Sequence, residues 1–476
     1  MRTSRPLIAL VIASCLGLAP AAAAQDTVAG RWEGSLAISG LTLGIVVAFT
    51  ADGTAYTAII DIPQQGAMGL PLTAVRADGV KIHFELPAGP GLAIFDGERQ
   101  GDTIRGTFTQ GGATGTFELA RGAAVAAPPA APAAPPPYKE EEVSIQTPAV
   151  KLGGTLTLPP GAGPHPAVVL ITGSGAENRD EEVFGFKVFR LIADHLTRHG
   201  IAVLRCDDRG VGASSGSTAQ STSSDFADDA LAQVAYLRTR PEIDKAHVGL
   251  LGHSEGGLIA PIAASRSVDV AFIILMSGPG LTGAEIMLAQ SETIGRAAGV
   301  TDAQITSNQT LQRQLFAAAR TDTGWDEATA AVKAAIKTAI DALPEARRQA
   351  IKDPAALIQA QANAQVEAVR SPWFKFFLDF DPASALVKVR CPVLATFGER
   401  DIQVPTAPNR AAMEKAFATS GFKNYRIEVF PRANHLYQDA PTGAVAEYTT
   451  LTKEFVPGFL DLLVSWTQQQ TAPVKK

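Results

Sequence analysis

Cysteine is scarce in this sequence, with three residues among 476. One of them, Cys15, lies in an apolar N-terminal segment, which leaves Cys206 and Cys391 for the folded protein. So few cysteines exclude the class of small secreted scaffolds that are held together by disulfides. Cys206 ends one predicted strand and Cys391 precedes another at the opposite side of the predicted sheet, so we expect both to be unpaired.

Charged side chains are also few. They make up 18% of the residues, and acidic residues outnumber basic ones to give a net charge of −6. Without a positive excess, the chain has no electrostatic basis for binding nucleic acid. The length and the apolar fraction of 46% allow two or three domains with a large buried core.

Long apolar runs are confined to the N-terminus. After residue 24, no charge-free stretch of about 18 apolar residues follows, which excludes a later membrane span. Before it, two arginines precede an apolar run at 7–19, and three alanines then offer small residues for cleavage before Gln25. This order predicts a signal peptide over residues 1–24 and an exported protein, periplasmic or secreted. The alternative is lipid anchoring through Cys15, because Ile12-Ala13-Ser14-Cys15 resembles a lipoprotein cleavage box.

Residues 121–138 predict a linker. They contain six prolines among small residues, a composition that forms a semi-rigid extended spacer and buries no core. The linker separates two regions whose hydrophobic patterns differ.

The region before the linker, residues 25–120, reads as all-β. Alternating runs at 42–50 and 54–61 flank Ala51-Asp52-Gly53, which predicts a hairpin. Further turns are predicted at Asp78-Gly79, Asp96-Gly97, Gly101-Asp102 and Gly111-Gly112. This spacing predicts a small sandwich or barrel, and Gly30-Arg31-Trp32 resembles the opening of lipocalin-type barrels. Its role is open between a packing domain and a ligand- or glycan-binding module.

The region after the linker, residues 139–476, alternates strands and helices. Its short apolar runs lie at 167–172, 201–205, 248–251, 270–276, 393–397 and 425–430. Continuous rather than alternating apolarity is typical of parallel strands that are covered on both faces. Residues 281–386 interrupt this pattern with helical periodicity, including the capping box Thr301-Asp302-Ala303-Gln304, and predict an inserted helical cap.

The pattern Gly-x-Ser-x-Gly occurs twice, at Gly252-His253-Ser254-Glu255-Gly256 and at Gly212-Ala213-Ser214-Ser215-Gly216. A nucleophilic serine needs a strand that ends in a tight turn before a helix. Ser254 has an apolar strand before it and a helical run after it, whereas Ser214 lies in a polar loop. The sequence therefore favours Ser254 as a nucleophile, and the Glu255 backbone N–H at the helix start as an oxyanion donor.

A base and an acid for Ser254 are predicted late in the chain. His435 is the one histidine on a loop after a late strand, and Asp401 follows the strand after the cap, with Glu399 as its nearest rival. Four earlier histidines, His165, His195, His199 and His247, are expected to be solvated or core residues, and His83 lies in the all-β region. His253 is next to Ser254, but neighbouring residues in a turn point their side chains in different directions. A second oxyanion donor is predicted at Ser174, in the glycine-rich turn Gly173-Ser174-Gly175.

Together these motifs resemble the bacterial carboxylesterases of the α/β-hydrolase fold, in the branch near the serine aminopeptidase-like hydrolases. The matching segments are Gly173–Gly175, Cys206–Ser214, Gly252–Gly257, Ser371–Phe374, Gly398–Asp401 and Asn434-His435. The resemblance covers residues 140–470 and implies a mostly parallel, eight-stranded sheet with helices on both faces. It also implies that Asp208 and Arg209 are supporting residues beside the oxyanion turn. The family's common His-Gly at that turn is Thr172-Gly173 here.

The sequence thus predicts a serine hydrolase that cleaves short-chain carboxylic esters, with water as acyl acceptor and without a metal or organic cofactor. One alternative is an exopeptidase, for which Glu255 or Glu177 would bind the substrate ammonium group; the other is a non-catalytic binding protein. Aromatic residues near the end of the cap either line an acyl pocket or fill the cap core. They are Trp373, Phe374, Phe376 and Phe377.

Overall fold

The structure is a computed structural model. It describes residues 27–38, 41–52, 55–62, 67–86, 93–110, 113–121, 136–297, 299–342, 345–351, 353–448 and 450–472. The predicted signal peptide, Cys15, Gly111-Gly112 and most of the predicted linker lie outside the described residues.

The N-terminal region is a closed barrel of eight antiparallel strands, so the all-β prediction is confirmed and the barrel is the correct alternative. Each strand pairs with the next, and β1 also pairs with β8 to close the sheet. The strands are β1 (Gly30–Ile38), β2 (Leu41–Asp52), β3 (Ala55–Ile62), β4 (Ala67–Asp78), β5 (Lys81–Leu86), β6 (Ala93–Gln100), β7 (Thr103–Gln110) and β8 (Ala113–Arg121).

Aromatic side chains fill the barrel interior. The rings of Phe84 and Phe95 stack with centroids 4.6 Å apart, and Phe117 meets both rings edge-on. Trp32 is fully buried at the start of β1, and its indole N–H donates to the Val28 carbonyl oxygen at 2.8 Å. The interior is therefore a packed hydrophobic core.

One predicted turn in the barrel is wrong. Asp96-Gly97 does not end a strand but lies inside β6, where Gly97 pairs with Gly106 of β7. A Cβ on Gly97 would lie 2.9 Å from the Phe117 ring, so the glycine makes room for a core aromatic side chain. The predicted turns at Asp78-Gly79 and Gly101-Asp102 are confirmed.

The region after the linker is built on a second sheet of eight strands, with order β18-β17-β16-β15-β11-β14-β10-β9. The six strands from β18 to β14 are mutually parallel, and β10 and β9 form an antiparallel edge. The strands are β9 (Lys139–Gln146), β10 (Lys151–Leu158), β11 (His165–Ile171), the short hairpin β12 (Glu182–Val183) and β13 (Phe186–Lys187), β14 (Ala202–Cys206), β15 (Ile243–His253), β16 (Ile273–Met276), β17 (Val393–Gly398) and β18 (Tyr425–Phe430).

Helices cover both faces of this sheet and form the cap. They are α1 (Val188–Arg198), α2 (Ser223–Thr239), α3 (Gly256–Arg266), α4 (Gly283–Ala297), α5 (Asp302–Thr321), α6 (Trp325–Asp341), α7 (Glu345–Ala350), α8 (Pro354–Arg370), α9 (Pro372–Asp379), α10 (Ala383–Leu386), α11 (Thr406–Ser420) and α12 (Phe459–Thr471).

Burial on both faces explains the continuous apolarity of the parallel strands. In β11, Val169 packs in the core shared with α2, α3 and α11, whereas Val168 and Leu170 pack in the core shared with α1 and α12. All six predicted parallel strands are present, but β16 begins at Ile273 instead of residue 270. Val270 and Phe272 are buried but precede the strand. Because they are apolar, the predicted strand begins too early.

The predicted helical cap is confirmed as α4–α10, between β16 and β17. Helix α5 begins at the predicted capping box, in which the Thr301 hydroxyl accepts the Gln304 N–H and the Gln304 side chain accepts the Thr301 N–H. A separate hydrophobic core joins α5, α6, α8 and α9. Both described cysteines are free, as predicted. Among the described helices, none has the length and apolarity to cross a membrane.

Candidate active site

Strand β15 ends in a sharp turn with Ser254 at its centre. The Ser254 backbone has a φ of +52°, a left-handed conformation that residues other than glycine rarely adopt, and α3 begins two residues later. Such a strained strand-to-helix turn projects the central side chain away from the backbone. Ser254 is partly exposed, while His253 and Glu255 on either side of it are buried.

Close backbone contacts require the glycines of this turn. A Cβ on Gly252 would lie 1.9 Å from the Gly256 carbonyl oxygen. A Cβ on Gly256 would lie 2.2 Å from the Ile171 carbonyl oxygen, at the end of β11. No larger residue fits at either position unless the backbone moves. Packing of the turn therefore imposes the spacing Gly-x-Ser-x-Gly.

Ser214, in the second copy of the pattern, has a different environment. Its hydroxyl donates to the Asp207 carbonyl oxygen at 2.7 Å and accepts the Gly153 N–H at 2.9 Å. The side chain is buried and makes both kinds of hydrogen bond. These contacts fasten the loop after β14 to β10, which is a structural role.

A histidine–carboxylate pair lies at the edge of the sheet where β15 ends. His435 Nδ1 is 2.8 Å from Asp401 Oδ2, and both side chains are buried. Asp401 follows β17 and His435 follows β18, so both lie beyond the carboxyl ends of parallel strands, as Ser254 does. Asp401 Oδ1 accepts the backbone N–H groups of Gln403 and Val404 at 2.9 and 2.8 Å. These two bonds fix the other oxygen toward the imidazole.

The rival acid Glu399 is exposed and contacts the loop instead of the histidine ring. Its Oε2 accepts the Arg432 backbone N–H at 2.8 Å. The same loop is anchored through Tyr437, whose Oη lies 2.8 Å from Thr396 Oγ1 and accepts the Ser277 N–H at 3.0 Å. Glu399 and Tyr437 therefore brace the backbone that carries the histidine, and Asp401 orients its ring.

Among the described residues, no hydrogen bond joins the Ser254 hydroxyl to the His435 ring. The two segments are connected through His253, whose Nε2 lies 3.0 Å from the His435 carbonyl oxygen. Catalytic hydrogen bonds are often long in proteins without substrate and tighten in the reacting complex. The structure thus brings together Asp401 and His435 directly, and Ser254 by its place on the adjoining turn.

The turn after β11 lies directly against the Ser254 turn. A Cβ on Gly173 would be 3.4 Å from Ser254 Cβ. The Gly173 N–H is already bound to Glu181 Oε1 at 2.9 Å, and the exposed Ser174 follows it. On the other side, Glu255 immediately precedes α3, where the first N–H groups have no partner within the helix. The two predicted oxyanion donors, Ser174 and Glu255, therefore lie on segments that flank Ser254.

Asp208 and Arg209 make hydrogen bonds that connect the segments around this turn. Asp208 accepts the Thr172 hydroxyl at 2.6 Å and the Glu177 N–H at 2.9 Å. Arg209 makes two hydrogen bonds to Asp229 of α2, at 2.6 and 2.9 Å. Burial raises the pKa of Asp208 to about 7, although its hydrogen bonds partly offset the rise.

The raised pKa of Asp208 predicts a pH-dependent stability. Because the folded state binds this proton more tightly than the unfolded chain, the stabilisation is complete below about pH 4 and is lost as the pH rises through about 7. Asp208→Asn is neutral at every pH. We therefore expect the melting temperature of Asp208→Asn, relative to the wild type, to increase between pH 5 and pH 8 in calorimetry.

Asp207 provides the matched control with the opposite sign. Burial alone would raise the pKa of Asp207, but hydrogen bonds and the charge of Arg179 hold it below its ordinary value. Its stabilising contribution is present at neutral pH and is lost on acidification, so Asp207→Asn is expected to destabilise the protein most at pH 8. Parallel pH trends for the two variants would contradict the assignment of Asp208.

The Glu255 carboxylate connects the Ser254 turn to the cap. Its Oε1 accepts the Ser223 hydroxyl of α2 at 2.6 Å and the Trp373 indole N–H of α9 at 2.7 Å. Burial raises the pKa of Glu255, and hydrogen bonds from Ser223, Trp373 and Ser174 partly offset the rise. Glu255 is 2% exposed and its carboxylate already accepts hydrogen bonds from protein donors, so it is not free to bind a substrate cation.

Removal of the Trp373 indole N–H, which donates to Glu255, should lower the stability of the folded protein. Trp373→Phe keeps a ring that can stack on Phe377 but leaves the buried Glu255 carboxylate short of one donor. We expect a loss of about 1–3 kcal/mol in the free energy of unfolding, measured by urea denaturation and circular dichroism. In the control Trp325→Phe, the lost bond is to exposed Asp322, and the loss should be below about 0.5 kcal/mol. Equal losses would contradict the role of Glu255.

The aromatic residues at the end of the cap are mainly packed against one another. Trp373 stacks on Phe377 with ring centroids 5.1 Å apart, and Phe374 is buried in the cap core beside Phe316. Phe376 stacks on Phe380. Of the candidate pocket residues, Trp373 is the one that reaches the Ser254 turn, through Glu255.

A second histidine–carboxylate pair was not predicted from the sequence. His253 Nδ1 lies 2.8 Å from Glu181 Oε1, and both side chains are buried. No sequence motif indicates this pair, because Glu181 precedes a two-residue strand and lies 72 positions from His253. Glu177 and Asp208 lie near the pair, and burial together with the charges of Glu181 and Asp208 raises the pKa of Glu177 well above its ordinary value. The described residues contain no cluster of three or more potential metal ligands.

Comparison with known families identifies the family of this chain. The model of the alpha/beta hydrolase family matches residues 168–448, which is more than half of the chain. The chain belongs to the α/β-hydrolase family. The fold predicted from the motifs is confirmed, and the match spans Ser254, Asp401 and His435.

Individual relatives of this α/β-hydrolase include esterases. Esterase EstD of Thermotoga maritima is 27% identical over 305 residues, and the aligned part covers 63% of this chain and 60% of EstD. A solved esterase of Pyrococcus furiosus is 18% identical, with 70% of this chain and 90% of that chain covered and a TM-score of 0.39. For the α/β-hydrolase GrgF of Penicillium, the identity is 16%, the coverage 70% and 100%, and the TM-score 0.43. These two structures add nothing to the family assignment.

Proposed function

We propose that this α/β-hydrolase cleaves small-molecule carboxylic esters, with Ser254 as nucleophile, His435 as base and Asp401 as orienting acid. The observation that carries the proposal is the bonded Asp401–His435 pair at the sheet edge where β15 ends in the strained Ser254 turn. This order along the chain, serine then acid then histidine, is that of the family's catalytic triads.

The reaction is acyl transfer to water in two steps. His435 Nε2 takes the hydroxyl proton as Ser254 Oγ attacks the ester carbonyl carbon, and the oxyanion is held by the N–H groups of Ser174 and Glu255. Collapse of the intermediate breaks the ester C–O bond, and His435 returns the proton to the leaving alcohol. Water then attacks the acyl-enzyme with His435 as base, which releases the carboxylic acid and restores the serine.

Ester cleavage is favoured over the exopeptidase alternative by the state of the nearby carboxyl groups. An exopeptidase needs a negative charge that is free to bind the substrate ammonium group. The Glu255 carboxylate is bound to Ser223 and Trp373, and the raised pKa of Glu177 favours its neutral form. Neither of the two candidate anions is therefore suited to that task.

A panel of p-nitrophenyl esters of increasing acyl length, run beside aminoacyl p-nitroanilides, tests this function. We expect the highest kcat/KM for short-chain esters and little cleavage of the anilides. Preferential cleavage of the anilides would support the exopeptidase. No turnover of either class, together with no labelling by a fluorophosphonate, would support the non-catalytic binding protein.

The place of action is also a proposal. The order of residues 1–24 supports export to the periplasm or beyond, with lipid anchoring through Cys15 as the alternative. The mass of the mature N-terminal peptide distinguishes them, because cleavage before Gln25 removes Cys15 and lipoprotein processing leaves an acylated Cys15 at the terminus.

A further inference from the structure

The histidine that precedes the nucleophile is bound through both ring nitrogens. Its Nδ1 lies 2.8 Å from Glu181 Oε1, and its Nε2 lies 3.0 Å from the His435 carbonyl oxygen. A neutral imidazole has one N–H and can donate only one of these bonds. The His435 carbonyl and an ionised Glu181 carboxylate are both acceptors, so two donated bonds require the imidazolium form of His253.

The surroundings of Glu181 agree with an ionised carboxylate. The same Oε1 accepts the Gly173 N–H at 2.9 Å, and a bond of this kind is stronger when the accepting oxygen is charged. Oε2 is buried without a partner, and a proton placed there would be a buried donor without an acceptor. Glu181 is 1% exposed, and its charge in such a place needs an opposite charge close by, which His253 provides.

We propose that Glu181 holds His253 as a buried imidazolium, and that this ion pair is a positioning device for the reaction of Ser254. The catalytic half of this inference rests on the proposed ester hydrolysis, whereas the charge state does not. Asp401 and His435 also face His253, and Glu177 lies near Glu181. Burial is the largest single influence and lowers the pKa of His253. The charge of Glu181, the hydrogen bonds to Glu181 and to the His435 carbonyl, and the charge of Asp401 together outweigh burial, so the net shift is upward.

The ion pair joins the three segments that the reaction needs. Glu181 Oε1 holds the turn before Ser174 through the Gly173 N–H. His253 belongs to the strand that carries Ser254, and its Nε2–H holds the backbone of His435. The His253 and His435 rings have centroids 4.6 Å apart. Loss of the pair should let the oxyanion turn and the histidine loop shift independently, and shifts of about 1 Å in such groups cost about 10²-fold in rate.

Nitrogen NMR of the ¹⁵N-histidine-labelled full chain tests the charge state directly. His253 is assigned as the signal that is missing from His253→Gln. At pH 8 we expect both of its ring nitrogens in the protonated range in the wild type, and one of them unprotonated in Glu181→Gln. A neutral His253 in the wild type at pH 6–8 would overturn the proposal, whether or not the protein hydrolyses esters.

Steady-state kinetics tests the positioning role. In Glu181→Gln, we expect kcat for a short p-nitrophenyl ester to fall about 10–100-fold with KM changed less than about threefold. The control is His247→Gln. His247 Nδ1 lies 2.7 Å from Asp244 Oδ2, so this variant breaks another histidine–carboxylate pair on β15, farther from Ser254 than His253 is. Its kcat should stay near the wild-type value. An unchanged kcat in folded Glu181→Gln would refute the positioning role, and inactivity of the wild type would refute the proposed function instead.

Discussion

Replacement of Ser254 by alanine should lower kcat for ester hydrolysis by at least about 10⁴-fold, measured with p-nitrophenyl acetate and corrected for background hydrolysis. Alanine removes the oxygen that attacks the carbonyl and leaves the turn, the helix start and the His435–Asp401 pair unchanged. The melting temperature should therefore remain close to that of the wild type. The reduction is large because no other described group takes over the covalent step.

Ser214→Ala is the matched control, because Ser214 has the same flanking glycines in the sequence. It removes two buried hydrogen bonds, to the Asp207 carbonyl oxygen and from the Gly153 N–H. We expect turnover by the folded enzyme to stay near the wild-type level, while the free energy of unfolding falls by about 1–3 kcal/mol. Near-wild-type turnover in Ser254→Ala, or its loss in folded Ser214→Ala, would contradict the choice between the two serines.

Asp401→Asn should lower kcat by about 10⁴-fold. Asp401 Oδ1 accepts two backbone N–H groups, from Gln403 and Val404, so an amide oxygen must occupy that position. The amide NH₂ then faces His435 Nδ1 and donates to it. This forces the histidine proton onto Nε2, the nitrogen that has to accept the serine proton. The geometry stays the same, but the base is in the wrong tautomer.

The control for Asp401 is Glu399→Gln. Glu399 lies two residues earlier and accepts one backbone N–H, from Arg432, which a glutamine oxygen accepts equally well. We expect kcat within about twofold of the wild type. A larger loss in Glu399→Gln than in Asp401→Asn would make Glu399 the orienting acid, despite its exposure.

The parallel sheet and the candidate triad could be predicted because each leaves a local pattern. Strands buried on both faces are continuously apolar, as in β11 and β17, and the turn at Ser254 requires glycines at fixed spacing. Asp401 and His435 follow late strands, which is readable from the order of the segments. The sequence pattern does not distinguish a barrel from a sandwich, because both have the same alternation and only the pairing of β1 with β8 separates them.

Two side-chain pairs that support the site could not be predicted, because each contact joins distant segments. His253 and Glu181 are 72 positions apart, and Glu255 and Trp373 are 118 apart. From the sequence, Glu255 is predicted to act through its backbone N–H, as an oxyanion donor. The structure adds that its buried carboxylate binds Trp373 of the cap. The turn predicted at Gly97 is wrong for a related reason, since this glycine contacts a phenylalanine two strands away.

Covalent labelling is the most direct test of Ser254 as the nucleophile. The protein is treated with a fluorophosphonate, digested, and the modified residue is located by tandem mass spectrometry. We expect one adduct, on the peptide that contains Ser254, with much slower labelling in Asp401→Asn and unchanged labelling in Ser214→Ala. An adduct on any other residue, or ester hydrolysis that persists without an adduct on Ser254, would contradict the proposed mechanism.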